Sequence, residues 1–528
     1  MKKYAVPLVC AAVSLFVYGC AYSSSPNTAQ IIPFIKKLMN PSLYPGDFYI
    51  ASQSAFPSLY PLLMARLAAF FPLESLHFWL YAALKIWFMR LIYLLAMEIS
   101  GREDAAVLSC LLCALSPITN VFSLMGEDPL MKAAMFQTSF SAPLAALSLI
   151  YFLRRGYMRA FALVWAVYFI NGLTANFLLV MYAAAFVAVK ENRRAMLRAG
   201  AGFAGLMAVW AVWYLRLKNP FGHAGPEFAA ILKLWYPGHY FPSQWEMSKW
   251  RNVAVFLPLL AYLYIRGMGG CRRAAEAKAF LFAFAAMWAA ALFFSEIFPV
   301  RQMLVLQFFR SDSLFAPLAM VFAAVFIADS GGLRGAASSA LLCLALLEFS
   351  NPLAGQIAGA AFLALRALPC APQPAPDSRL KYVLPAALVA VLFVPFMLER
   401  VLYFGLDFKD AGDRAWIETQ LWAKQNTPPE TVFLTPPDMR GWRVFSERSP
   451  VTEWLDGAAM HWAPGAERIW FSRERDSNSG QDRRLLCRKY GARYIVAHSR
   501  EKTADSGVPR AGCGKLVYEN SGFAVCEI

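Results

Sequence analysis

The sequence predicts an α-helical polytopic membrane protein with a smaller C-terminal α/β domain, and three observations support this fold class. Of the 528 residues, 59% are hydrophobic and only 16% are charged, whereas soluble proteins are about 45–50% apolar and about a quarter charged. The apolar residues are grouped into runs long enough to cross a bilayer. The net charge of +16 lies almost entirely in residues 1–398, which hold 31 Lys and Arg against 16 Asp and Glu, while residues 399–528 hold 19 against 18. We therefore divide the chain into a membrane domain (1–398) and a soluble domain (399–528).

The first apolar run extends from about Tyr4 to Tyr18 and follows Lys2 and Lys3. Such a segment also suits a signal peptide, and VYGC at its end resembles a lipoprotein cleavage box. Tyr18 is a poor residue for the small position of that box, and many further apolar runs follow. We therefore expect an uncleaved first helix with its N-terminus in the cytoplasm.

Further apolar runs predict repeated crossings of the membrane. They lie near residues 75–99, 104–122, 138–153, 158–171, 174–189, 199–216, 252–266, 278–294, 313–329, 334–349, 352–367 and 381–398. With the first helix, about thirteen transmembrane helices are expected. A cytoplasmic N-terminus then places every large basic cluster in a cytoplasmic loop, as the positive-inside rule requires. An odd number of spans puts the C-terminal domain outside, and the basic excess implies no nucleic-acid partner.

Residues 56–72 are apolar but contain prolines and Arg66. Counting them as a full span would invert every later loop and move the basic clusters to the outside. We therefore predict an interfacial or juxtamembrane helix here. The preceding residues, 22–58, form the first exterior loop.

The C-terminal domain changes to mixed charge with Pro and Gly turns, which is typical of a soluble fold. The expected elements are a helix at Trp416–Gln425, strands at Thr431–Thr435 and Tyr494–Ala497, and a terminal hairpin with a Ser-Gly turn in LVYENSGFAVCEI. Cys487, Cys513 and Cys526 lie in this domain. A disulfide between Cys513 and Cys526 is the pairing we expect outside the cytoplasm.

Asp47 is the strongest candidate for chemistry in the first exterior loop. It follows a Pro-Gly turn in LYPGDFYI, with aromatic residues on both sides. A carboxylate held at the bilayer surface could bind a metal, accept a proton from a hydroxyl or bind a cationic group. An Asp that caps the turn and faces water is the structural alternative.

Glu127 and Asp128 form an adjacent acidic pair in the next exterior loop, GEDP. Two neighbouring carboxylates either bind a divalent cation or raise each other's pKa. Asp128 also precedes Pro129 and could cap a helix there. Capping explains Asp128 but leaves Glu127 without a role.

Two more exterior loops carry candidate phosphate or sugar ligands. His239 and Tyr240 lie in LWYPGHYFP, whose dense aromatic residues suit sugar stacking or anchoring at the level of lipid headgroups. Arg301 and Arg310 run against the positive-inside trend, and a planar guanidinium is a good ligand for a lipid phosphate. A structural interfacial histidine and an arginine paired with Asp312 are the alternatives.

This layout resembles the GT-C class of membrane glycosyltransferases, which includes protein mannosyltransferases, oligosaccharyltransferase catalytic subunits and lipid A aminoarabinose transferases. The resemblance depends on LYPGDFYI in the first loop, GEDP in the second and WAKQNTPPETVFLTPP at the start of the soluble domain. YPGHYFPSQW and LQFFRSD are most similar to a bacterial branch of the class.

The resemblance implies a GT-C-like fold and inverting transfer of a hexosyl or pentosyl unit from a polyprenyl-phosphate carrier to a lipid, glycan or protein acceptor. Asp47 would be the catalytic base, Glu127 and Asp128 the second-loop acids, and Arg301 or Arg310 the phosphate ligand. A divalent cation (Mg²⁺ or Mn²⁺) could bind Asp47, Glu127 and Asp128. Asp47 stands without a second acid, however, so metal dependence stays open. The expected location is a bacterial cytoplasmic membrane, with membrane lipids as partners.

Two alternative hypotheses assign the protein to different functional classes. A flippase for a lipid-linked glycan should carry charged residues near the middle of several spans, but Lys85 and Arg90 are the main ones here. A non-catalytic partner of a surface-polymer assembly would use the aromatic residues and exterior domain equally well. The sequence does not identify the sugar or the acceptor.

Overall fold

The computed structural model describes residues 2–330, 332–347, 352–368, 414–499 and 514–528. Helices dominate the chain up to residue 368, and one mixed sheet lies in the C-terminal part. The predicted boundary at residues 398 and 399, the predicted span at 381–398 and Cys513 lie outside the described residues. Cys487 is a free thiol, and the pairing of Cys513 with Cys526 stays a prediction.

The helices of the N-terminal part form a bundle around a continuous apolar core. They are α1 (Lys2–Tyr18), α2 (Pro26–Met39), α3 (Phe48–Ala51), α4 (Tyr60–Leu67), α5 (Leu73–Ser100), α6 (Glu103–Leu115), α7 (Pro117–Asn120), α8 (Gln137–Leu153), α9 (Tyr157–Tyr168), α10 (Gly172–Ala188), α11 (Arg193–Tyr214), α12 (Phe228–Trp235), α13 (Met247–Gly267), α14 (Ala274–Leu292), α15 (Arg301–Leu304), α16 (Asp312–Asp329), α17 (Gly332–Leu347) and α18 (Pro352–Ala367). Helix α5 packs on α1, α6 and α8, and α16 is buried between α6 and α13.

The predicted number of thirteen membrane spans is not confirmed. Among the described residues, four helical stretches are long and apolar enough to cross a membrane, namely Leu73–Ser100, Arg193–Tyr214, Ala274–Ile297 and Arg301–Asp329. Several other expected spans are shorter helices. The run predicted at 104–122, for example, divides into α6 and the single turn α7 at Pro117, because proline cannot continue a helical hydrogen-bond ladder.

Residues 56–72 contain only the short helix α4, of 8 residues. At 1.5 Å per residue, such a helix is about 12 Å long, well short of the roughly 30 Å apolar core of a bilayer. The structure therefore gives this segment a helix too short to be a membrane span.

The C-terminal domain is a five-stranded sheet covered by helices, which agrees with the predicted α/β class, although the strand at Ser449–Pro450 was not predicted. Its elements are α19 (Arg414–Asn426), β1 (Val432–Leu434), α20 (Trp442–Ser446), β2 (Ser449–Pro450), α21 (Ala466–Asn478), α22 (Arg483–Tyr490), β3 (Tyr494–His498), β4 (Lys515–Glu519) and β5 (Phe523–Glu527). The strand order is β2-β1-β3-β5-β4, with β1 parallel to β2 and β3 and with the other pairs antiparallel. The helix, both strands and the terminal hairpin expected from the sequence are confirmed.

A loop of the C-terminal domain packs directly on the helical bundle and positions the candidate site. A 3₁₀ helix (Trp454–His461) lies after β2 and contacts helix α2 and the end of helix α12. The Nε1–H of Trp235 donates to the Trp454 carbonyl at 2.7 Å, and the Nε1–H of Trp454 donates to the Trp235 carbonyl at 3.1 Å. This reciprocal pair joins the two parts of the chain beside a cavity.

Candidate active site

A cavity of about 380 Å³ lies between the helical bundle and the C-terminal domain. Its polar lining includes Asn27, Gln30, Asp128, Asn171, His239, Gln307, Arg310 and His461. Its aromatic lining includes Tyr49, Tyr168, Trp210, Tyr214, Trp235, Tyr236, Trp454 and Trp462. Aromatic surfaces with a few converging polar groups are typical of a ligand site.

Asp128 and Arg310 form an ion pair on the cavity surface, with 2.8 Å between Nη2 and Oδ2. The Asp128 carboxylate also accepts from Lys132 Nζ at 2.7 Å and from Asn27 Nδ2 at 3.0 Å. Burial alone would raise the pKa of Asp128, but the charges of Lys132 and Arg310 outweigh it and hold that pKa well below its usual range. Asp128 is therefore an ionised carboxylate held by two cations.

The loop before Asp128 is fixed against the segment that carries Arg310. Asp312 accepts the backbone N–H groups of Met125 and Gly126 at 2.6 and 3.1 Å. A Cβ atom at Gly126 would collide with the backbone of Arg310. The absence of a side chain at Gly126 thus allows the two loops to approach closely enough for the Asp128–Arg310 pair.

His239 lies next to this ion pair and lines the cavity. Its Nε2 is 3.8 Å from Oδ2 of Asp128, and its Nδ1 is 3.9 Å from Oε2 of Glu127. Nδ1 has no hydrogen-bond partner within the described part of the chain. Burial, followed by the charge of Arg310, holds the pKa of His239 well below its usual range, so the imidazole is neutral at pH 7.

Glu127 lies behind His239 and is bound from two sides. The Tyr236 hydroxyl donates to Oε2 at 2.5 Å and Lys249 Nζ donates to Oε1 at 2.8 Å. Glu127 adopts the left-handed backbone conformation, with φ of +62°, which is uncommon for a residue other than glycine. The structure brings Glu127 close to His239 but leaves it outside the cavity lining.

Tyr240 and Arg301 contact the C-terminal domain instead of the cavity. The Tyr240 hydroxyl lies 2.8 Å from Nε2 of His461. Arg301 donates to the carbonyls of Met460 and His461 at 3.3 and 3.4 Å. Neither Tyr240 nor Arg301 lines the cavity, but both contact His461, which is one of the lining residues.

His461 was not among the residues that the sequence singled out. Burial, followed by the charges of Arg310 and Arg301, lowers its pKa to about 3. Its Nδ1 has no hydrogen-bond partner among the described residues. The sequence signal is slight, because His461 is one of five histidines and lies in a domain with no recognisable motif around it.

Asp47 does not lie where a catalytic base that acts in the cavity would have to lie. It does not line the cavity, and its residue surface is 5% exposed. Its carboxylate accepts the backbone N–H groups of Tyr49 and Ile50, at 3.0 and 3.3 Å, and so caps α3. Arg443 of the C-terminal domain binds the same carboxylate, with Nε donating to Oδ2 at 2.7 Å.

The three acids predicted for a divalent cation do not converge. Asp47 is bound by Arg443, Asp128 by Arg310 and Lys132, and Glu127 by Lys249. Among the described residues, no group of three or more His, Cys, Asp or Glu side chains is arranged to hold a metal ion. The donor set therefore does not fit a cation site shared by these three acids, which the sequence had left open.

The helical bundle with its C-terminal α/β domain is a GT-C-like membrane fold. The chain is similar in structure to ArnT from Cupriavidus metallidurans bound to undecaprenyl phosphate, with a TM-score of 0.51 and 14% identity over 99% of this chain and 97% of that one. The same protein in the apo state gives a TM-score of 0.46 and 15% identity over 99% and 96% of the two chains. The predicted GT-C-like fold is therefore confirmed.

Sequence comparisons cover much less of the chain. A family model described as a domain of unknown function, DUF6798, matches residues 414–473. This range includes α19, β1, α20, β2 and the 3₁₀ helix beside the cavity. No curated protein matches the sequence.

Proposed function

We propose that this protein is a polytopic bacterial inner-membrane glycosyltransferase that moves a sugar from a polyprenyl-phosphate carrier to an acceptor hydroxyl at the outer face. The observation that carries the proposal is the cavity that joins the Asp128–Arg310 pair, His239 and a dense aromatic lining. The fold similarity to a protein whose structure contains undecaprenyl phosphate supports the choice of carrier. The proposed orientation places the N-terminus in the cytoplasm and the C-terminal domain outside.

Arg310 is the proposed ligand of the carrier phosphate. Its guanidinium lies on the cavity surface, where it binds Asp128 through Nη2 and the side-chain oxygen of Gln307 through Nη1. A planar guanidinium can bind a phosphate through two parallel hydrogen bonds. This cation would stabilise the negative charge that develops on the phosphate as it leaves. Arg301, in contrast, is occupied by the backbone of the C-terminal domain.

His239 is the proposed base for the acceptor hydroxyl. In the transfer step, the acceptor oxygen forms a bond to C1 of the sugar while the bond from C1 to the phosphate oxygen breaks, which inverts the configuration. The acceptor proton passes to the neutral imidazole, and the bonding electrons leave with the polyprenyl phosphate. Asp128, 3.8 Å away, would stabilise the resulting imidazolium.

Binding of the donor would also make His239 a better base. Repulsion from Arg310 is one of the causes that lower the histidine pKa. A phosphate anion bound to Arg310 offsets that repulsion and so raises the proton affinity of the ring. The base then becomes effective when the donor is in place.

The test is binding and transfer by the full-length protein in nanodiscs. We expect native mass spectrometry to detect bound undecaprenyl phosphate, and R310Q to weaken that binding at least tenfold, because one charged phosphate contact contributes about 1.5–3 kcal/mol. R475Q is the matched control, since Arg475 is an exposed arginine far from the cavity lining. Equal binding by the wild type and R310Q would contradict the phosphate role.

Transfer is measured with undecaprenyl-phosphate-linked hexoses and pentoses and a membrane extract that supplies the acceptors. A new covalent glycoconjugate is expected from the wild type and not from H239Q. Movement of an intact lipid-linked glycan between leaflets, with no covalent product, would instead support a flippase.

A further inference from the structure

A buried cluster of four ionisable residues lies next to the segments that line the cavity and has no place in the proposed chemistry. Its members are Asp47, Arg443, Glu453 and Asp456, called here the Arg443 cluster. All four side chains are almost fully buried, with 3% exposure or less. A charged group that is removed from water is stable only when its hydrogen bonds are satisfied.

Arg443 uses its complete hydrogen-bonding capacity within this cluster. Its Nε and one Nη2 donor bind Asp47 at 2.7 and 3.1 Å. The other Nη2 donor and one Nη1 donor bind Asp456 at 3.0 and 2.7 Å. The second Nη1 donor binds Glu453 at 2.8 Å. A guanidinium has five N–H donors, and all five are engaged, which a lysine with three donors cannot reproduce.

The partners of Arg443 belong to two different walls of the cavity. Asp47 caps α3, and Tyr49 of that helix lines the cavity. Glu453 and Asp456 cap the 3₁₀ helix Trp454–His461, whose ends also line the cavity. One side chain therefore bonds to a segment of the first loop and to a segment of the C-terminal domain at the same time.

Further contacts of Arg443 strengthen the same connection. The Tyr44 hydroxyl donates to the Arg443 carbonyl at 2.9 Å, and the guanidinium carbon lies 5.2 Å from the centre of the Tyr49 ring. Trp462, next to the 3₁₀ helix, donates through Nε1 to the Ser52 hydroxyl at 3.0 Å. The two cavity walls thus meet along a surface that has the Arg443 cluster at its buried centre.

We propose that Arg443 is a positioning residue, which holds Tyr49 on the first loop and the 3₁₀ helix Trp454–His461 in register beside the cavity by binding Asp47, Glu453 and Asp456 together. The consequence for catalysis rests on the proposed transfer reaction, whereas the coupling of the two walls does not. Asp47 acts through Arg443 in this arrangement, as the anchor of the first loop.

Hydrogen–deuterium exchange on the full-length protein in nanodiscs tests the coupling without reference to activity. In R443K we expect about tenfold faster exchange both in residues 44–52 and in residues 454–462, because local opening becomes easier when their shared anchor is lost. R448K is the matched control: Arg448 is also buried, and its partners, Thr427, Lys424 and Glu447, all lie in the C-terminal domain. R448K should leave residues 44–52 unchanged.

D47N keeps the test decisive if R443K fails to fold, which exchange in strand β3 would reveal. This variant leaves Arg443, Glu453 and Asp456 themselves unchanged and removes the charge of Asp47 together with one of the two oxygens that accept from Arg443. Faster exchange in residues 44–52 and 454–462 with unchanged β3 is the expected result. Unchanged exchange in residues 44–52 in both D47N and R443K would overturn the proposal.

Activity measurements add a readout that a general loss of stability would not produce. If Asp47 acts through Arg443, D47N and R443K should lower kcat/KM by similar factors, and the double variant should be no worse than R443K alone. The pH–rate profile of D47N should keep its shape. Loss of its acidic limb, the fall in rate at low pH, would show that Asp47 is itself the base and would contradict the positioning role. A wild type without transfer activity would refute the proposed function and leave the exchange result standing.

Discussion

At the scale of single residues, the cavity pairs an anchored cation with neutral imidazoles. Arg310 is bound by Asp128, while His239 and His461 stay neutral because they are buried near the charge of that arginine. A phosphate is therefore attracted by the positive charge of Arg310 and not by the neutral histidines. The neutral ring of His239 can accept a proton or a hydroxyl hydrogen bond.

Replacing His239 with Gln should abolish most transfer and leave donor binding intact. A positioned general base contributes about 10²–10⁴-fold to rate, so kcat should fall by at least about 100-fold. Undecaprenyl phosphate binding, measured by native mass spectrometry, should stay within about threefold of the wild type. H223Q is the control, because His223 does not line the cavity. An H239Q variant with normal kcat would remove His239 from the mechanism.

Glu453 should make stability depend on pH near neutrality. Burial, with a contribution from Asp456, raises its pKa to about 7, from 4.5 for the ordinary group. The folded protein therefore holds a proton that the unfolded chain releases, and this stabilisation is lost as the pH rises from about 4.5 to about 7, by up to about 1.4 kcal/mol per pH unit. E453Q should lose this dependence, as followed by thermal unfolding at several pH values.

The exposed Glu418 provides the control for that measurement, because E418Q should follow the wild-type pH dependence. The pKa of Asp128 is lowered in the folded protein, so its contribution to stability is lost as the pH falls. This pH dependence is opposite to that of Glu453. A wild type and an E453Q variant with parallel profiles between pH 4.5 and 7 would contradict the assignment.

At the scale of elements, the close approach of two loops controls the ion pair. Helix α16 begins at Asp312, whose carboxylate holds the backbone of Met125 and Gly126. The same geometry presents Asp128 to Arg310. The conformation of the loop before Asp128 therefore determines the geometry of the site, and Gly126 is the position in this loop that is most sensitive to substitution.

Substituting Gly126 with Ala should disrupt the Asp128–Arg310 pair. The added methyl group meets the backbone of Arg310, which cannot move aside as a flexible side chain can. We expect a loss of about 1–3 kcal/mol in stability, as for overpacking in a core, together with weaker binding of undecaprenyl phosphate. Thermal unfolding and native mass spectrometry measure the two effects.

Gly205 offers a matched control within helix α11, where an added Cβ meets nothing within 4 Å. G205A should stabilise the protein by about 0.5–1 kcal/mol, because alanine favours a helix more than glycine does. If G126A were as stable and as active as G205A, the close approach of the loops would be irrelevant to the site.

Elements could be predicted from the sequence where the signal is local. Hydrophobic runs predicted the positions of most helices, and the Ser-Gly turn predicted the hairpin of β4 and β5. Loop charge and composition also indicated Asp128, Arg310 and His239, which the structure brings together. The length of the spans was less predictable, because prolines such as Pro117 end helices inside apolar runs.

At the scale of the whole molecule, the cavity is shared between the helical bundle and the C-terminal domain. Asp47 and Arg443 are 396 residues apart in sequence, and no periodicity or motif links two such positions. The sequence therefore indicated Asp47 as important but could not supply its partner. A single acid in a loop has the same local pattern whether it serves a substrate or a buried arginine.

The buried ion pair between Lys36 and Glu447 joins the two parts of the chain. It should stabilise the fold more than the exposed pair between Lys424 and Glu447. Lys36 of α2 binds Glu447 at 2.8 Å and the Val444 carbonyl at 2.6 Å, and it is mostly buried. Lys424 binds the same carboxylate at 2.7 Å but is exposed and lies within the C-terminal domain. K36Q should cost about 1–3 kcal/mol of stability and K424Q less than about 1 kcal/mol.

Thermal unfolding of both lysine variants in the same nanodiscs provides this comparison. Hydrogen exchange in α2 should increase in K36Q and stay unchanged in K424Q, because only Lys36 joins the two parts. Equal effects of the two substitutions would mean that Glu447 contributes to the C-terminal domain alone.

The sequence distance between Asp47 and Arg443 also has a consequence during synthesis on the ribosome. At about 5–20 residues per second, about 20–80 s pass between the appearance of the first-loop carboxylate and that of the arginine which neutralises it. Until then the nascent chain has helices but lacks a finished cavity, because its second wall has not yet been made. A partly translated or truncated copy would therefore lack the complete site that we propose for the lipid carrier.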